Sequence, residues 1–393
     1  MEGDLITINK SLRPLSRLYG WGVAFRNLLF DMGILKSRSY STPVISVGNI
    51  TVGGTGKTPH VEYLIRLLKG QMSVAMLSRG YKRKTTGFLL ADKNTTSREI
   101  GDEPYQIYKK FPDITVAVDQ KRTRGIEKLI GREAGKDIDV IILDDAFQHR
   151  YVKPGINILL VDYHRLIIYD ELLPAGRLRE PVKSKNRADI VIVTKCPTDL
   201  KPMDFRVITK ALNLFPYQQL YFSTHKYESL QPVFNRSDKN ISKRIEALSD
   251  ENVLLVTGIA SPEQMKLDLQ PYVKRIEPLA FDDHHQFTAK DVARINEAFK
   301  ALPSPKLIVT TEKDVTRLKD MDGLSDEVRQ QLYVLPIYIT LMQDQEEAFN
   351  KNILGYVRKN SRNSILVRDK DDHKAQDSDS SGDRPRTISF RNN

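Results

Sequence analysis

The sequence predicts an α/β fold: a mostly parallel sheet of the P-loop NTPase type with helices on both faces, together with a smaller C-terminal α/β lobe. Three observations support this prediction. An apolar run from Val44 to Val47 enters a glycine-rich loop, and a helical pattern from Val61 to Leu68 follows it. A second apolar run, Val140 to Leu143, ends in two aspartates roughly ninety residues downstream. Between and beyond these anchors, strand-like and helix-like segments alternate, which is typical of βαβ units.

Length and composition favour a cytoplasmic protein of roughly two domains. The 393 residues, 40% of them hydrophobic, are enough to bury a large core. The single cysteine, Cys196, excludes an internal disulfide and fits a reducing compartment. No run approaches the ~20 apolar residues of a membrane-spanning helix, and the N-terminal region lacks the apolar core of a signal peptide. We therefore expect neither export nor an integral membrane protein.

The formal net charge of +11 indicates an anionic partner. Nucleic acid, an anionic membrane surface and a phosphorylated substrate would each satisfy it. The sequence has no zinc-knuckle spacing and no RNP-type aromatic motif, so we expect no nucleic-acid partner. Nothing in the sequence indicates a protein partner.

Residues 1–42 are predicted to form an N-terminal amphipathic, membrane-associating helix region. Arg17 and Arg26 lie off an apolar stripe with three- and four-residue spacing. The stripe consists of Leu18, Trp21, Phe25, Leu28, Leu29 and Met32. Such a helix can lie on an anionic membrane with its apolar face down and its arginines on lipid phosphates. The alternative is an ordinary helix whose apolar face packs on the core, and the sequence pattern leaves both open.

Residues 43–200 are predicted to form the P-loop core, and its key segment is Gly53-Gly54-Thr55-Gly56-Lys57-Thr58. Glycines suit this loop because backbone N–H groups must curl around phosphate oxygens without Cβ atoms in the way, and the helix N-terminus adds its positive dipole. Lys57 is predicted to reach the β- and γ-phosphates of ATP, and the Thr58 hydroxyl to hold Mg²⁺. Thr51 stands where Gly-x-x-x-x-Gly-Lys-Thr requires a glycine, so a glycine pair must supply the flexibility instead.

Asp144 and Asp145 end the apolar run that begins at Val140. An aspartate at the end of a buried strand is typical of a Walker B strand, and it meets Mg²⁺ directly or through water near the P-loop threonine. Gln148 and His149 follow in the same turn. Because ligands of an open α/β sheet bind beyond the carboxyl ends of its strands, these two side chains are also predicted to face the ligand.

Two further segments are predicted to lie at the same crevice. Arg79 and Tyr81 follow an apolar run that ends at Leu77, which places them to touch the substrate. Asp102 and Glu103 open a helix. They are either caps favoured by the helix dipole or a base aimed at an acceptor hydroxyl.

Residues 201–362 are predicted to form a second α/β lobe that closes the cleft. Its last strand is expected to run from Leu332 to Ile339. An earlier strand, ending at Phe281, delivers His284-His285, and a histidine there would act across the cleft in catalysis or nucleotide binding. Residues 363–393 mix charged residues, serine and glycine with few large apolar residues, so we expect a disordered tail.

Eight short motifs occur in order along the chain. They are Val47-Gly-Asn-Ile-Thr-Val-Gly-Gly-Thr-Gly-Lys-Thr-Pro59, Ser78-Arg-Gly-Tyr81, Gly101-Asp-Glu-Pro104, Asp144-Asp-Ala-Phe-Gln-His149, Leu173-Pro-Ala-Gly-Arg-Leu-Arg-Glu-Pro181, Thr257-Gly-Ile-Ala260, Asp283-His284 and Thr311-Glu-Lys-Asp314. Together they resemble the motifs of the tetraacyldisaccharide 4'-kinase family, the lipid A 4'-kinases of Gram-negative bacteria. The resemblance covers roughly residues 12–340.

The resemblance implies a kinase that moves the γ-phosphate of ATP to the 4'-hydroxyl of a tetraacyl glucosamine disaccharide 1-phosphate. It implies a peripheral enzyme at the cytoplasmic face of the bacterial inner membrane, with this lipid A precursor and the anionic membrane surface as partners and with ATP and Mg²⁺ as cofactors. Asp102 and His284 are implied to act as a catalytic pair, and Lys57 to neutralise charge on the transferred phosphate. The remaining matched positions are Thr58, Asp144 and Asp145 at the nucleotide and metal, and Arg122, Gln148, His149 and Arg179 at the substrate or its phosphate.

Two positions depart from the family pattern. Ala146 replaces the usual glycine of Asp-Asp-Gly-Phe-Gln-His, a change that can alter the turn that aims Gln148. Arg177 replaces the usual proline of Pro-Ala-Gly-Pro-Leu-Arg. Neither change removes a charged catalytic group.

Three other interpretations compete with this one. A P-loop kinase of a small soluble metabolite would bury the apolar face of the N-terminal helix. A nucleotide-switch ATPase with a Gly-Gly-x-Gly-Lys-Thr loop usually carries a signature lysine before the glycine pair, where this chain has Val52. A nucleic-acid-binding ATPase is supported by the net charge alone.

Overall fold

The computed structural model describes residues 8–131, 133, 135–234, 242–259, 262–283, 285–319 and 321–361. The strands are, in chain order, β1 (Val44–Gly48), β2 (Val74–Ser78), β3 (Leu89–Leu90), β4 (Thr115–Val118), β5 (Val140–Asp144), β6 (Ile156–Asp162), β7 (Ile190–Thr194), β8 (Gln219–Tyr227), β9 (Gln231–Pro232), β10 (Asn252–Thr257), β11 (Arg275–Ala280), β12 (Lys306–Thr310), β13 (Leu332–Val334) and β14 (Ile337–Leu341). The helices are α1 (Arg13–Asp31), α2 (Lys57–Leu68), α3 (Ser97–Ile100), α4 (Asp102–Lys110), α5 (Arg122–Ile130), α6 (Pro202–Leu212), α7 (Pro262–Leu269), α8 (Ala289–Ala301), α9 (Glu312–Leu318), α10 (Asp326–Gln331) and α11 (346–361).

The larger of two sheets has nine strands in the order β14-β8-β7-β6-β1-β5-β2-β4-β3. The strands from β8 to β4 run parallel, and antiparallel strands β14 and β3 form the two edges. The mostly parallel P-loop sheet predicted from the sequence is therefore confirmed. Because β1 lies between β5 and β6, with Val47 opposite Asp144, the glycine loop and the Walker B acids emerge side by side.

Helices cover both faces of this sheet because successive residues of a strand point to opposite sides. In β1, Ile45 and Val47 join one apolar cluster, and Val44 joins another. Residues of α2 and α11 complete the first cluster, and residues of α5 complete the second. Burial on both faces explains why these strands read as continuous apolar runs rather than as alternating ones.

The smaller sheet has five strands in the order β11-β10-β12-β13-β9, and its interior confirms the predicted second α/β lobe. The predicted boundary between residues 200 and 201 needs correction, because β8 and β14 pair within the larger sheet and α11 packs on the core beneath it. The second lobe is thus an insertion between β8 and β14. Which sheet a strand joins depends on non-local pairing, and a local apolar pattern carries no information about it.

The single strand predicted from Leu332 to Ile339 is wrong. The structure has two strands there, β13 in the smaller sheet and β14 in the larger one. Pro336 lies between them and has no N–H to continue a ladder, while its carbonyl accepts a hydrogen bond from Glu228 N at 3.0 Å. The chain passes between the lobes twice, after β8 and before β14, and this hydrogen bond links the two connecting segments.

The N-terminal helix, α1, packs on the first lobe through its small and polar side. Ser16 and Gly20 are buried against the loop between residues 172 and 181, where the Ser16 hydroxyl accepts a hydrogen bond from Ala175 N at 2.9 Å. A Cβ on Gly20 would lie 2.8 Å from Leu172 Cδ1, so the helix approaches as closely as a glycine permits. In the described part of the chain, no helix is long and apolar enough to cross a membrane.

His284 and the predicted tail, residues 363–393, lie outside the described residues, as do the first residues of the predicted N-terminal region.

Candidate active site

The glycine-rich loop between β1 and α2 depends on two left-handed backbone positions. Gly53 has a φ of 110° and Gly56 a φ of 80°, where a residue with a Cβ would be strained. Gly54 and Thr55 lie between them, and α2 begins at Lys57, immediately after the loop. Backbone N–H groups of the loop and of the first helical turn therefore lie at a helix N-terminus, which is the arrangement that binds phosphate.

Side chains outside the loop hold it in place through hydrogen bonds. Asn49 Nδ2 donates to Thr55 Oγ1 at 2.8 Å, and Thr194 Oγ1 donates to Thr55 O at 3.0 Å. His60 Nδ1 donates to Gly56 O at 2.7 Å, and His60 Nε2 accepts from Ser223 Oγ at 3.0 Å. Burial lowers the pKa of His60 to about 4, so the ring is neutral and this pair of bonds fixes its tautomer.

The Walker B acids lie next to the loop. The carboxylate of Asp145, whose own φ is 46°, has its Oδ1 3.8 Å from Lys57 Nζ. Burial raises the pKa of Asp145, but Lys57 and Arg179 outweigh burial and hold it below its ordinary value. The side chain is therefore an ionised carboxylate at the predicted nucleotide site, although its backbone is in a region that non-glycine residues rarely adopt.

Asp144 differs sharply from its neighbour. Burial, followed by the carboxylates of Glu103 and Asp145, raises the pKa of Asp144 to about 7. Its Oδ2 accepts a hydrogen bond from Ser78 Oγ at 3.1 Å, whereas its buried Oδ1 has no partner. A hard cation with oxygen ligands would satisfy a buried acid oxygen that has no donor and lies beside a second carboxylate. Among the described residues, no group of three or more histidine, cysteine or acidic side chains is placed to hold a metal ion.

Arg179 and Gln148 converge on Asn49, directly after β1. Arg179 Nη2 donates to Asn49 O at 3.2 Å and to Asp145 Oδ1 at 3.0 Å, and Gln148 Nε2 also donates to Asn49 O. Asn49 itself is fully buried. Asn49 was not among the residues predicted from the sequence, although a polar residue at the carboxyl end of the P-loop strand is a signal that could have identified it.

Arg122 contacts the backbone of the two acids, and His149 lies close to Arg122. Arg122 is 3% exposed and donates to the carbonyls of Asp144 and Asp145 at 3.3 and 3.4 Å. Burial lowers the pKa of Arg122 to about 10, and burial followed by Arg122 and Arg26 lowers that of His149 to about 4. The buried Nε2 of His149 has no partner. A neutral histidine and a desolvated arginine are thus ready for an anionic or hydroxyl-bearing ligand.

Arg79 and Tyr81 are exposed, unlike the other residues predicted to bind the substrate. Both are exposed on the turn after β2, and Tyr81 keeps 61% of its surface accessible. Arg79 is close enough to depress the pKa of Arg122 and that of His149. The structure therefore brings Arg79 to the same cluster, while Tyr81 lies at its rim.

Asp102 is the first residue of α4, and its partner comes from the second lobe. Arg317 Nε donates to Asp102 Oδ2 at 3.1 Å, and Arg317 Nη2 donates to the same oxygen. Arg317 was not among the residues predicted from the sequence. No local pattern marks it, because it lies 215 residues from Asp102 in the chain and on a helix of its own.

A cleft of about 260 Å³ separates the two lobes next to the loop. The first lobe lines it with Thr58 and Glu103, and the second lobe lines it with Ile259, Met265 and Leu335. Phosphate-binding groups thus face apolar side chains across one cavity, which suits a nucleotide with a charged and an apolar end.

The strand, the loop and the helix that begins with Lys57-Thr58, set in a mostly parallel sheet, define a P-loop nucleotide-binding protein. The family described as tetraacyldisaccharide-1-P 4'-kinase matches residues 8–385 of the chain. The chain belongs to this family, which confirms the resemblance noted in the sequence.

Named relatives are similar in sequence to this chain along nearly its whole length. The chain is 59% identical over 365 residues to a tetraacyldisaccharide 4'-kinase of Phocaeicola vulgatus, covering 93% of this chain and 99% of the relative. It is 53% identical over 381 residues to that of Bacteroides thetaiotaomicron, covering 95% and 100%. A crystal structure of LpxK from Aquifex aeolicus in complex with ATP is similar at a TM-score of 0.68 and 30% identity, covering 89% of this chain and 99% of that one.

The two departures from the family pattern leave the site assembled. Ala146 is buried and does not have a positive φ, so this position does not need a glycine's backbone freedom. Gln148 Nε2 still donates to Asn49 O. Arg177 N donates to Asp170 Oδ1 at 3.0 Å, a hydrogen bond that a proline could not make because it has no N–H.

Proposed function

We propose that this chain is a kinase that transfers the γ-phosphate of ATP to the 4'-hydroxyl of a tetraacyl glucosamine disaccharide 1-phosphate in lipid A biosynthesis. The observation that carries the proposal is the cleft lined by Gly54–Thr58 of the loop and by Glu103, which follows Asp102 at the start of α4. Identities of 59% and 53% to kinases named for this activity support it. The ATP complex of the Aquifex aeolicus relative supports ATP as the donor.

The nucleotide is held by the backbone N–H groups of the Gly53–Gly56 loop, with Lys57 beside the β- and γ-phosphates. Phosphoryl transfer asks the protein mainly for positioning and for neutralisation of charge on the phosphoryl oxygens. Lys57 supplies that charge from the N-terminus of α2. Asp102 orients the acceptor hydroxyl and accepts its proton, and the family resemblance assigns His284 to share that proton.

Thr58, Asp144 and Asp145 are the residues that would hold Mg²⁺. A hydroxyl and two carboxylates are hard oxygen ligands, and Mg²⁺ usually combines one or two protein carboxylates with phosphate oxygens and water. When bound, Mg²⁺ supplies charge neutralisation at the phosphates. The partnerless Oδ1 of Asp144 supports this assignment.

The acceptor is bound by Arg79, Tyr81, Arg122, Gln148, His149 and Arg179. These side chains are basic or polar, Arg122 and Arg179 contact the Walker B acids, and the proposed substrate carries a 1-phosphate. Arginine is suited to phosphate because its planar guanidinium donates two parallel hydrogen bonds.

The enzyme is proposed to work as a peripheral protein at the cytoplasmic face of the bacterial inner membrane, with α1 lying on an anionic lipid surface. Five apolar stripe residues, Leu18, Trp21, Phe25, Leu28 and Met32, are between 50% and 71% exposed, and Leu29 is partly buried. Soluble proteins rarely expose so continuous an apolar face without a partner. A lipid substrate whose acyl chains stay in the bilayer must be met at that surface.

The way α1 docks supports this orientation. Arg26 Nη2 donates to Gln148 O at 3.1 Å, and Tyr19 Oη donates to Arg179 O at 2.9 Å. The helix therefore grips the two loops proposed to bind the acceptor while its apolar face points away from the protein. The soluble-metabolite kinase requires that face to be buried, and the exposure of the stripe argues against it.

Vesicle flotation tests the membrane assignment. The double variant Trp21→Glu, Phe25→Glu should bind vesicles of anionic and neutral phospholipid at least ~10-fold more weakly, because two large apolar side chains no longer enter the lipid. Leu267→Glu is the matched control, since Leu267 is 63% exposed on the second lobe. Unchanged flotation of the double variant would exclude α1 as the membrane contact.

Phosphate transfer tests the activity itself. Labelled ATP should give labelled lipid with the tetraacyl disaccharide 1-phosphate and none with soluble glucosamine. Label in a soluble sugar but not in the lipid would favour the metabolite kinase, and ATP hydrolysis without transfer would favour the nucleotide switch.

A further inference from the structure

Arg317 of α9 crosses from the second lobe to Asp102 of the first. Its side chain is 4% exposed, and that of Asp102 is 19% exposed. Both of its hydrogen bonds to Asp102 reach Oδ2, one from Nε and one from Nη2. Two donors of one planar guanidinium on the same carboxylate oxygen hold that oxygen in place.

Arg317 is itself anchored within the second lobe. Its Nη1 donates to His285 O at 3.2 Å and lies 3.7 Å from Asp314 Oδ1. Asp314 is fully buried, and it accepts hydrogen bonds from Gly258 N at 2.9 Å and from Thr311 Oγ1 at 2.7 Å. The guanidinium is therefore held at the end of a rigid chain of contacts, so it transmits the position of the second lobe to Asp102.

We infer that Arg317 is a positioning residue for Asp102, and that docking of the second lobe through Arg317 sets this carboxylate for proton acceptance. The inference rests on the proposed kinase function. Without Arg317, Asp102 at the start of α4 would keep its place in the helix, but its Oδ2 would lose the two hydrogen bonds that aim it at the acceptor. An error of about 1 Å in such a group is enough to cost ~10²-fold in rate.

A second interlobe contact on the same two helices provides the control. Lys110, at the end of α4, forms ion pairs with Glu312 of α9 and with Glu62 of α2, the latter at 2.7 Å. It joins the lobes without touching Asp102 in any of these contacts. If Arg317 served to hold the lobes together and nothing more, substitution of Lys110 would affect catalysis in the same way.

The test is steady-state phosphate transfer by the full chain, with Mg·ATP and the tetraacyl disaccharide 1-phosphate. Arg317→Ala should lower kcat ~10–100-fold with the KM for ATP within about threefold of wild type, because ATP is bound elsewhere. The kcat of Arg317→Lys should lie between those of wild type and Arg317→Ala, since lysine keeps the charge but lacks the paired donors of the guanidinium. Lys110→Gln should keep kcat within about threefold of wild type.

Added guanidinium chloride, at concentrations that leave wild-type turnover unchanged, should partly restore kcat in Arg317→Ala and leave Lys110→Gln unaffected. In an Asp102→Asn background, Arg317→Ala should have no further effect, because the group that it positions is gone. A purely structural role would instead lower kcat equally in Lys110→Gln, or lower it independently of Asp102. Either result, or a kcat of Arg317→Ala equal to wild type, would overturn the inference.

Circular dichroism and thermal melts verify that each variant is folded. If Arg317→Ala does not fold, Arg317→Lys provides the test. Failure of the inference is distinct from failure of the proposed function. An inactive wild-type enzyme would refute the function, whereas an active wild type with an equally active Arg317→Lys and Arg317→Ala would refute the positioning role.

Discussion

The proposed active site has two walls, and they are built in opposite ways. On the first lobe, the phosphate-binding loop from Gly53 to Thr58 is one contiguous segment between β1 and α2. At the other wall, Asp102 is held by Arg317, a residue 215 positions away on the second lobe. The first wall is a local backbone conformation, and the second exists only when two lobes are packed together.

This difference teaches which part of the enzyme is robust. A loop that binds phosphate through its own backbone tolerates change in distant residues, provided that its glycines and its supports remain. A carboxylate aligned across a lobe boundary depends on every contact that docks the second lobe. Substitutions at the two walls should therefore fail differently, in nucleotide binding at the first and in turnover at the second.

The largest expected effect is at the second wall. Asp102→Asn removes the proposed base while keeping the size of the side chain, and it should lower kcat ~10²–10⁴-fold. ATP affinity, measured by isothermal titration, should stay near that of wild type. Wild-type turnover would discard the assignment of Asp102, and lost ATP binding would break the contrast between the walls.

At the first wall, Lys57→Ala should act on the nucleotide. Loss of one preorganised charge at the transferred phosphate should lower kcat/KM ~10²–10³-fold, and ATP binding should weaken as well. Lys69→Ala is the matched control, because Lys69 follows the other end of the same helix and pairs with Asp113 at the surface. Equal ATP affinity in Lys57→Ala and wild type would show that the loop does not bind the phosphates through this lysine.

The conformation of the first wall could be predicted from the sequence because the information that determines it is local. Apolar β-branched residues, glycines at left-handed positions and Lys57-Thr58 at a helix start all lie within one segment, and each constrains its own neighbours. Asp144, at the end of β5, was also predictable, because the carboxyl ends of parallel strands meet at one edge. Arg317 and the membership of β8 in the larger sheet depend on tertiary pairing, so neighbouring residues do not reveal them.

Even the local loop has distant supports, and the one that runs through His60 to Ser223 gives the smallest predicted effect. His60 is held neutral between Gly56 O and Ser223 Oγ, with a pKa of about 4 in place of about 6.5. The unfolded chain therefore binds a proton between pH 6.5 and 4 that the folded protein refuses, so stability falls as pH drops through this window. Between pH 6.5 and 4, the free energy of unfolding of His60→Gln should fall by on the order of 1–3 kcal/mol less than that of wild type.

Chemical denaturation at pH 7 and at pH 4.5 measures that difference. The other histidines with lowered pKa values, His149 and His225, titrate in both proteins, so they cancel in the comparison. Identical pH dependence in wild type and His60→Gln would mean that the loop does not depend on a neutral ring beneath it.

The claim common to all of these predictions is that one cleft brings the two walls to the same phosphate. A crystal structure with Mg²⁺ and a non-hydrolysable ATP analogue tests it most directly. We predict the β- and γ-phosphates inside the Gly53–Thr58 loop and the Asp102 carboxylate within about 6 Å of the γ-phosphorus, close enough for one hydroxyl to fit between them. Phosphates outside the loop, or Asp102 more than about 10 Å away, would contradict the account.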